Sequence, residues 1–308
     1  MPAYLIARLF SAAWVTFGVV SLVFFLVHWV PGDPVDVMLG ESAASADREA
    51  LRHALGLDQP LLAQWGDFLR GVMHWNVGQS LYYQEPVSRL LAQHFAATAE
   101  LAAAAFVVAL VIAIPAGIIA AARRGSVWDM GAMGFSLLGV SIPNFWLGPL
   151  LVLVFSLGLG WFPVSGRSGP VSLVLPAVTL GTALAAVLSR MIRSSLLEIM
   201  HEDFIRTARA KGLSPYRVWV RHGLRNASLP VLTVLGMQLG ALLGGAVITE
   251  TVFNWPGVGS LLVESIQRRD YPVVQGSVLL ISLLYVVINL GTDLLYARID
   301  PRIRLGQA

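Results

Sequence analysis

Two short stretches of the 308-residue chain carry residue types that hydrolytic enzymes use, and each lacks one residue that the chemistry needs. "HEDFI", which starts at His201, begins like the helix of a zinc protease, but Ile205 stands where the second histidine ligand belongs. "GRSGP", which starts at Gly166, resembles a nucleophile elbow, but Pro170 replaces the second glycine of that turn. We therefore predict no catalytic residue on this chain.

The chain also lacks the residues that metal-binding and nucleotide-binding sites require. The chain has no cysteine, so it offers no thiolate nucleophile or ligand, and its 6 histidines are scattered without ligand spacing. A P-loop requires Gly-x-x-x-x-Gly-Lys-Ser/Thr, whereas the single lysine, Lys211, precedes a glycine in "AKGLS". We predict no metal site and no cofactor on this chain, and any ATP or Mg²⁺ that it depends on must be bound by other chains.

The composition indicates a lipid bilayer as the solvent. Hydrophobic residues make up 56% of the chain and the mean hydropathy is +0.71, whereas about 45 to 50% is usual in soluble domains. A bilayer-spanning helix needs about 17 to 25 apolar residues, and six windows meet this requirement. They are Leu9 to Val30, Ala97 to Ala122, Gly131 to Leu159, Leu173 to Ser189, Val231 to Phe253 and Val273 to Leu290. The sequence predicts an all-α, multi-pass membrane protein.

The basic residues predict how these spans are oriented. Six spans place both termini on one side of the membrane, and cytoplasmic loops carry an excess of Lys and Arg. Fourteen of the 21 basic residues fall on the side of the termini: Arg8, Arg123, Arg124, Arg190, Arg193, Arg206, Arg209, Lys211, Arg217, Arg221, Arg225, Arg298, Arg302 and Arg304. We expect cytoplasmic termini, an extracytoplasmic segment at residues 31–96 and a cytoplasmic loop at residues 190–230. Because topology explains the basic residues, no nucleic-acid partner is predicted.

The cytoplasmic loop has a pattern that orientation alone does not require. From Asp203 to Ala210 apolar and basic residues alternate as on one or two helical turns, and Lys211 and Gly212 then form a helix stop. A second amphipathic piece follows, with an apolar side (Val218, Trp219, Leu224) and a basic side (Arg217, Arg221, Arg225). A short helix, a glycine break and a second helix make a docking surface for a soluble partner.

This loop resembles the EAA motif of permease subunits of ATP-binding-cassette (ABC) importers, and in particular the B-type subunit of the dipeptide and oligopeptide permease family. The resemblance rests on "DFIRTARAKGLS...RHGLRNASLP" and on six further stretches in the family's order. These are "HWVPGDPV" (28–35), "LGLDQPLLAQWGDFLRG" (55–71), "SIPNFWLG" (141–148), "TETVFNWPGVG" (249–259), "RRDYPVVQG" (268–276) and "DLLYARIDPRIR" (293–304). The loop departs from the general EAA pattern, because Arg206 stands where the acidic residue would be, with Thr207 and Ala208 at the alanine positions.

The resemblance implies the six-transmembrane-helix type I ABC importer permease fold over a single domain, residues 1–308, in the bacterial cytoplasmic (inner) membrane. It implies four partner chains: a second homologous permease, two ABC ATPases that bind ATP and Mg²⁺, and an extracytoplasmic peptide-binding protein. The coupling helix that docks the ATPase would comprise Asp203, Phe204, Ile205, Arg206, Thr207, Ala208, Arg209, Ala210, Lys211 and Gly212. We expect Phe204 and Ile205 to make its apolar contacts and Arg206 and Arg209 its polar ones.

Two alternatives remain open from the sequence. The same family includes permeases for nickel, glutathione and other small solutes, so the peptide substrate is the less specific part of the expectation. A stand-alone secondary carrier would usually hold an ionisable residue near the middle of a span, and none of the six windows has one. The sequence therefore favours the importer over the carrier.

Five further features have both structural and functional interpretations. Gly236, Gly240 and Gly244 recur every four residues in the fifth window and predict either close helix packing or a position on the transport path. Pro115, Pro143 and Pro176 predict kinks. The apolar residues between Asp47 and Met73 predict amphipathic helices, and we favour packing over a partner contact. "PGDP" (31–34) predicts a turn, and Trp255 predicts an interfacial anchor.

Overall fold

A computed structural model describes residues 2–29, 35, 39, 44–54, 56–74 and 76–299 of the chain. Within these residues the regular structure is helical, apart from one isolated β-bridge that pairs Gln79 with Pro86. The all-α prediction is therefore confirmed for the described part of the chain. The predicted "PGDP" turn lies outside the described residues.

Eleven α-helices follow one another along the described chain. In order they are α1 (Pro2–Trp29), α2 (Ser45–Ala54), α3 (Leu61–Met73), α4 (Val87–Ala122), α5 (Val127–Ser141), α6 (Asn144–Leu151), α7 (Val174–Ile199), α8 (Asp203–Ala210), α9 (Arg225–Val252), α10 (Val258–Gln267) and α11 (Tyr271–Ile299). Short helical segments of other pitch adjoin three of them: a π-helix (Val152–Gly158) extends α6, a 3₁₀ turn (Pro170–Leu173) precedes α7, and a π-helix (Arg217–Leu224) leads into α9.

Four helical stretches are long and apolar enough to cross a bilayer on their own: Val87–Ala122, Pro170–Ile199, Pro230–Val252 and Tyr271–Thr292. A fifth span is present if α5 and the α6 segment are counted as one broken span. The apolar part of α1 that the structure describes, Phe10–Phe25, is shorter than these spans. The structure thus shows four or five spans among the described residues, where the sequence predicts six.

The third predicted span is not one straight helix. The stretches Val127–Ser141 and Asn144–Gly158 meet at 107°. Pro143 causes the break, because it has no N–H to continue α5 and forces Ile142 into an extended conformation, with φ −88° and ψ 114°. Of the other predicted kink sites, Pro115 lies inside α4, and Pro176 lies in the first turn of α7, where the missing N–H costs little.

The described chain divides into two compact units. The first comprises Met1–Thr98 and Pro256–Val286, and the second comprises Ala99–Trp255 and Val287–Ala308. An apolar core holds the first unit together through Val87, Leu90, Leu91, Val258, Leu261 and Val273. Beside that core the buried carboxylate of Asp270 accepts hydrogen bonds from the Ser80 hydroxyl and from the backbone N–H groups of Leu81 and Tyr82. These bonds tie the turn that precedes α4 to the start of α11.

The amphipathic helix α3 packs against α1 in the first unit. The Trp65 indole N–H donates to the Ser21 hydroxyl at 3.2 Å, and the ring of Phe68 stacks on Phe24 with centroids 5.6 Å apart. Aromatic pairs of this kind contribute specific contacts beyond the area that they bury. The packing interpretation is therefore confirmed for Trp65 and Phe68. Leu62 on the same helix is 71% exposed.

Small residues bring the helices of the second unit close together. A Cβ added at Gly117 in α4 would lie 2.8 Å from the Ser189 carbonyl oxygen in α7, and one at Gly181 would lie 2.6 Å from the Ala105 carbonyl oxygen. In lipid, helices associate through such close van der Waals contact, because apolar burial alone offers no gain over the lipid tails. Glycine at these positions sets the separation of α4 and α7.

Replacing Gly117 with alanine tests this contact. We expect Gly117→Ala to lower the unfolding free energy by about 1 to 3 kcal/mol, because α7 must move away to admit the methyl group. Gly134→Ala in α5 is the matched control: nothing lies within 4 Å of its added Cβ, so better helix propensity should leave stability unchanged or higher. Thermal unfolding of the purified chain in mild detergent measures both. Equal stability of the two variants would contradict this account of the α4–α7 contact.

Candidate functional site

The candidate site is α8, and its underside is buried in its own chain. Ile205 and Ala208 lie on one side of this helix and pack against Met200, at the end of α7, and against Val218. The Ile205 side chain is 0% exposed. The partly buried side chains of Ile199, Leu213 and Trp219 complete the cluster. α8 is therefore fixed to the end of α7 by apolar packing.

A Schellman motif ends α8. The Gly212 N–H donates to the Arg209 carbonyl at 2.9 Å, and the Leu213 N–H donates to the Ala208 carbonyl at 3.3 Å. Gly212 adopts φ +72°, a conformation that glycine reaches without steric cost. Leu213 then packs on the cluster beneath α8. The predicted helix stop at Lys211 and Gly212 is confirmed, and it holds the last turn of the helix in place.

The opposite side of α8 is exposed. Phe204 is 41% exposed. The other exposed residues of this stretch are Asp203, Arg206, Thr207, Arg209, Ala210, Lys211 and Gly212. Arg206 pairs with Asp203 at 3.4 Å, but an ion pair as exposed as this one stabilises the helix little. The exposed part of α8 thus offers one aromatic ring and three basic side chains, on a helix whose other side is packed against its own chain.

The two residues expected to make apolar contacts, Phe204 and Ile205, have different environments in the structure. Phe204 lies on the surface, whereas Ile205 is enclosed by its own chain. The physical reason is helical geometry: consecutive residues point about 100° apart, so when Ile205 points into the cluster Phe204 falls at its edge. The expectation for Ile205 is corrected to a positioning role, and Phe204 remains the apolar contact that the surface offers.

The second amphipathic piece is the π-helix Arg217–Leu224, which runs directly into α9. Val218 is buried in the cluster under α8, while Arg217, Arg221 and Arg225 are exposed, as the sequence predicts. A Cβ added at Gly223 would lie 3.2 Å from Leu196 Cδ2 and 3.4 Å from Met200 Sδ. Residues 190–230 are therefore not an extended loop: they are the ends of two long helices with α8 between them.

An ion pair that sequence reasoning missed joins α7, the helix that leads to α8, to α5. Arg193 in α7 donates to both carboxylate oxygens of Asp129 in α5, at 2.6 and 2.8 Å, and Asp129 also accepts from the Gly125 N–H at 2.9 Å. Ser126 caps α5, with its hydroxyl 3.5 Å from the Asp129 nitrogen. The spacing Ser-x-x-Asp before an apolar run is an N-terminal helix signal, and it marks Asp129 in the sequence.

The residues proposed to line the path or pack helices do not share one environment. Gly236 is buried, and a Cβ there would clash with the Thr292 side chain in α11, while Gly240 is also buried. Gly244 is exposed with nothing within 4 Å. Gly236 therefore serves helix packing, and Gly244 leaves an open surface.

Trp255, predicted from the sequence to lie at the membrane interface, is instead fully buried, and the Arg167 guanidinium lies 5.9 Å from its ring. The predicted interfacial position of Trp255 is therefore wrong.

No group of three or more His, Cys, Asp or Glu side chains that could hold a metal ion occurs among the described residues. The prediction that the chain binds no metal and no cofactor stays a prediction.

Two family models match the chain. Residues 113–305 match "Binding-protein-dependent transport system inner membrane component", and residues 1–102 match "Binding-prot-dependent transport system membrane comp, N-term". A solved structure of the MetNI methionine ABC transporter in an inward-facing conformation is similar to this chain, with a TM-score of 0.57 and 20% identity over 68% of this chain and 96% of that chain. That likeness shows the fold.

Curated relatives are similar over nearly their whole length. The di/tripeptide transport system permease protein DppB of Pseudomonas aeruginosa (strain UCBPP-PA14) is 46% identical, covering 94% of each chain. The dipeptide transport system permease protein DppB of Escherichia coli (strain K12) is 43% identical, covering 99% of each chain. The glutathione transport system permease protein GsiC of Escherichia coli (strain K12) is 44% identical, also covering 99% of each chain.

Truncating each of the two adjacent apolar residues of α8 tests their assignment. We expect Ile205→Ala to raise amide hydrogen exchange across residues 203–213 by about tenfold or more, because a buried Ile→Ala change removes about 2 to 5 kcal/mol of packing. Phe204→Ala should change the local stability by less than about 1 kcal/mol, since its ring is half exposed. Exchange measured by mass spectrometry on the purified chain separates the two. Faster exchange in Phe204→Ala than in Ile205→Ala would contradict the assignment.

Proposed function

Because the chain belongs to the binding-protein-dependent transport system inner membrane component family, we propose that it is the permease subunit of an ATP-driven ABC importer for di- and oligopeptides. It is a multi-pass protein of the inner membrane, as its family and its long apolar helices show. The fold is that of ABC transporter permeases, as the likeness to MetNI shows. The partners, the orientation and the substrate form the proposal.

The surface of α8 is the observation that carries the proposal. Docking to an ATPase requires a rigid projection that transmits force, and a free eight-residue helix is too short to be stable alone. Here the buried Ile205 and the Gly212 cap hold the helix in place, which leaves Phe204, Arg206 and Arg209 free to contact a partner. The coupling helix of the proposal is residues Asp203 to Gly212.

The proposed assembly contains this chain, a second homologous permease, two ATPase subunits and an extracytoplasmic peptide-binding protein. ATP and Mg²⁺ would bind the ATPases, and closure of the ATPase pair would move α8 against the ends of α7 and α9. The two permeases would then open outward to accept the peptide. This chain would supply half of the translocation path and one ATPase contact, with no chemical step of its own.

The proposed topology has six spans, with α1 as the first and the bent α5–α6 segment as the third. It places both termini and residues 190–230 in the cytoplasm and residues 31–96 outside. The exposed Arg217, Arg221 and Arg225 beside α8 support this orientation through the positive-inside rule. Nothing in the chain favours a nucleic-acid partner.

Peptides are the substrate class that two of the three curated relatives favour, since their names specify di- and tripeptides. Glutathione is the second candidate, because the GsiC protein is 44% identical to this chain over nearly its full length. The family match argues against the stand-alone carrier, and none of these relatives is named for nickel.

Reconstitution of the importer with its partner subunits in proteoliposomes tests the proposal. Dipeptide uptake should require ATP and the binding protein, and an excess of glutathione should not compete. Uptake of glutathione in place of dipeptide would transfer the assignment to the second candidate. Transport by this chain alone, without ATP, would refute the importer.

A charge on the surface of α8 tests the docking role in the same system. We expect Phe204→Asp to insert and fold normally but to lower ATP-dependent uptake by about tenfold or more, because aromatic anchors dominate contact energies. Ser214→Asp, which places the same charge at an exposed position beyond the docking helix, is the control and should transport like the wild type. If Phe204→Asp also transported at the wild-type rate, α8 would not be the docking element.

A further inference from the structure

The ion pair between Asp129 and Arg193 has no role in the docking surface itself, yet it lies directly behind it. Arg193 precedes Met200 by about two turns of α7, and Met200 packs under Ile205 of α8. Asp129 lies in the first turn of α5. The pair therefore joins the helix that leads to α8 to a helix, α5, that contributes none of the described residues of the cluster beneath α8.

The geometry of this pair is rigid. Both guanidinium contacts are short, at 2.6 and 2.8 Å, and the carboxylate is held from its other side by the Gly125 N–H. The side chains are only 23% exposed for Arg193 and 8% for Asp129. A bidentate, largely buried pair fixes both the distance between the two side chains and their relative orientation. The exposed pair of Arg206 and Asp203 on α8 does not.

Two further contacts continue the same interface along both helices. The hydroxyls of Ser136 in α5 and Ser189 in α7 lie 2.9 Å apart. A Cβ added at Gly139 would lie 2.7 Å from the Ala186 Cβ. The spacing of these residues puts them on one side of each helix, and their order shows that the two helices are antiparallel. α5 and α7 are thus joined in three layers: an ion pair, a hydroxyl pair and a contact of small residues.

α5 in turn leads to the bend at Pro143 and to α6. Gly148 in α6 lies against α9, where an added Cβ would come within 3.1 Å of Val252 Cγ1 and of Phe253 Cε2. A continuous set of packed contacts therefore runs from α8 through α7 and α5 to the bent segment and on to α9. Of the three contacts between α5 and α7, the ion pair is the one nearest to α8. It is also the contact that is made by charged groups.

We infer that Asp129 and Arg193 are positioning residues that couple the movement of α8 to the bent α5–α6 segment, so that ATP hydrolysis and peptide passage stay linked. This inference rests on the proposed importer function. It requires that α5 and the end of α7 move together through the ATP cycle. Without the pair, α8 and α7 would move while α5 and α6 lagged behind, and ATP would be consumed without transport.

Neutralising both residues together tests the inference. Asp129→Asn with Arg193→Gln leaves no uncompensated buried charge, and the asparagine oxygen can still accept from the Gly125 N–H. In the reconstituted importer we expect ATP hydrolysis close to the wild-type rate and a fall of about fivefold or more in peptide transported per ATP. Arg190→Gln, an exposed change on the same helix, is the control and should keep the wild-type ratio. A wild-type ratio in the double variant would overturn the inference.

A second measurement does not depend on how that variant folds. Because the chain has no cysteine, Trp128→Cys and Ser194→Cys introduce unique spin-label sites at exposed positions on α5 and α7. We expect the distance distribution between the labels to be the same with and without ATP, and a nucleotide-dependent change would overturn the inference. Failure of the proposed function would show differently, as absence of ATP-dependent uptake in the unsubstituted importer.

Discussion

The packing of Ile205 and Ala208 onto Met200 and Val218 is the interaction on which the candidate site depends. A helix of eight residues is not stable by itself in water, and most helical stability in such cases comes from tertiary packing. Burial of one large aliphatic side chain contributes about 1.5 to 3 kcal/mol to holding this helix in place. Every exposed group on α8 takes its position from that contact. Phe204 and the arginines remain exposed because Ile205 and Ala208, on the buried side of the helix, pack against Met200 and Val218.

The environment of the long helices follows from a different constraint. In a bilayer each backbone polar group needs a partner within the protein, which favours continuous helices. The chain departs from continuity at Pro143, between α5 and α6. Packing then depends on shape rather than on apolar burial, and Gly117, Gly139 and Gly181 supply the close approaches. Two hydroxyl groups in this region pair with each other across the helices, those of Ser136 and Ser189.

The sequence predicts local features well and tertiary ones poorly. The bounds of α8 and its stop at Gly212 follow from residue types that act on their own backbone. Hydropathy finds the third predicted span but cannot show that it bends by 107°, because it measures apolar length and not direction. The burial of Ile205 depends on Met200 and Val218, and the pairing of Asp129 joins residues 64 positions apart. No local pattern encodes either partner, although the Ser-x-x-Asp spacing marks Asp129 as a helix start.

Cross-linking from α8 tests the central claim most directly, namely that its exposed side contacts an ATPase while its other side belongs to this chain. In the cysteine-free background, Phe204→Cys and Ile205→Cys each provide one thiol for a photo-activatable cross-linker. The account predicts that the assembled importer yields a cross-link to the ATPase subunit from position 204, and that position 205 labels poorly or cross-links within the chain. A cross-link to the ATPase from position 205 but not from position 204 would contradict it.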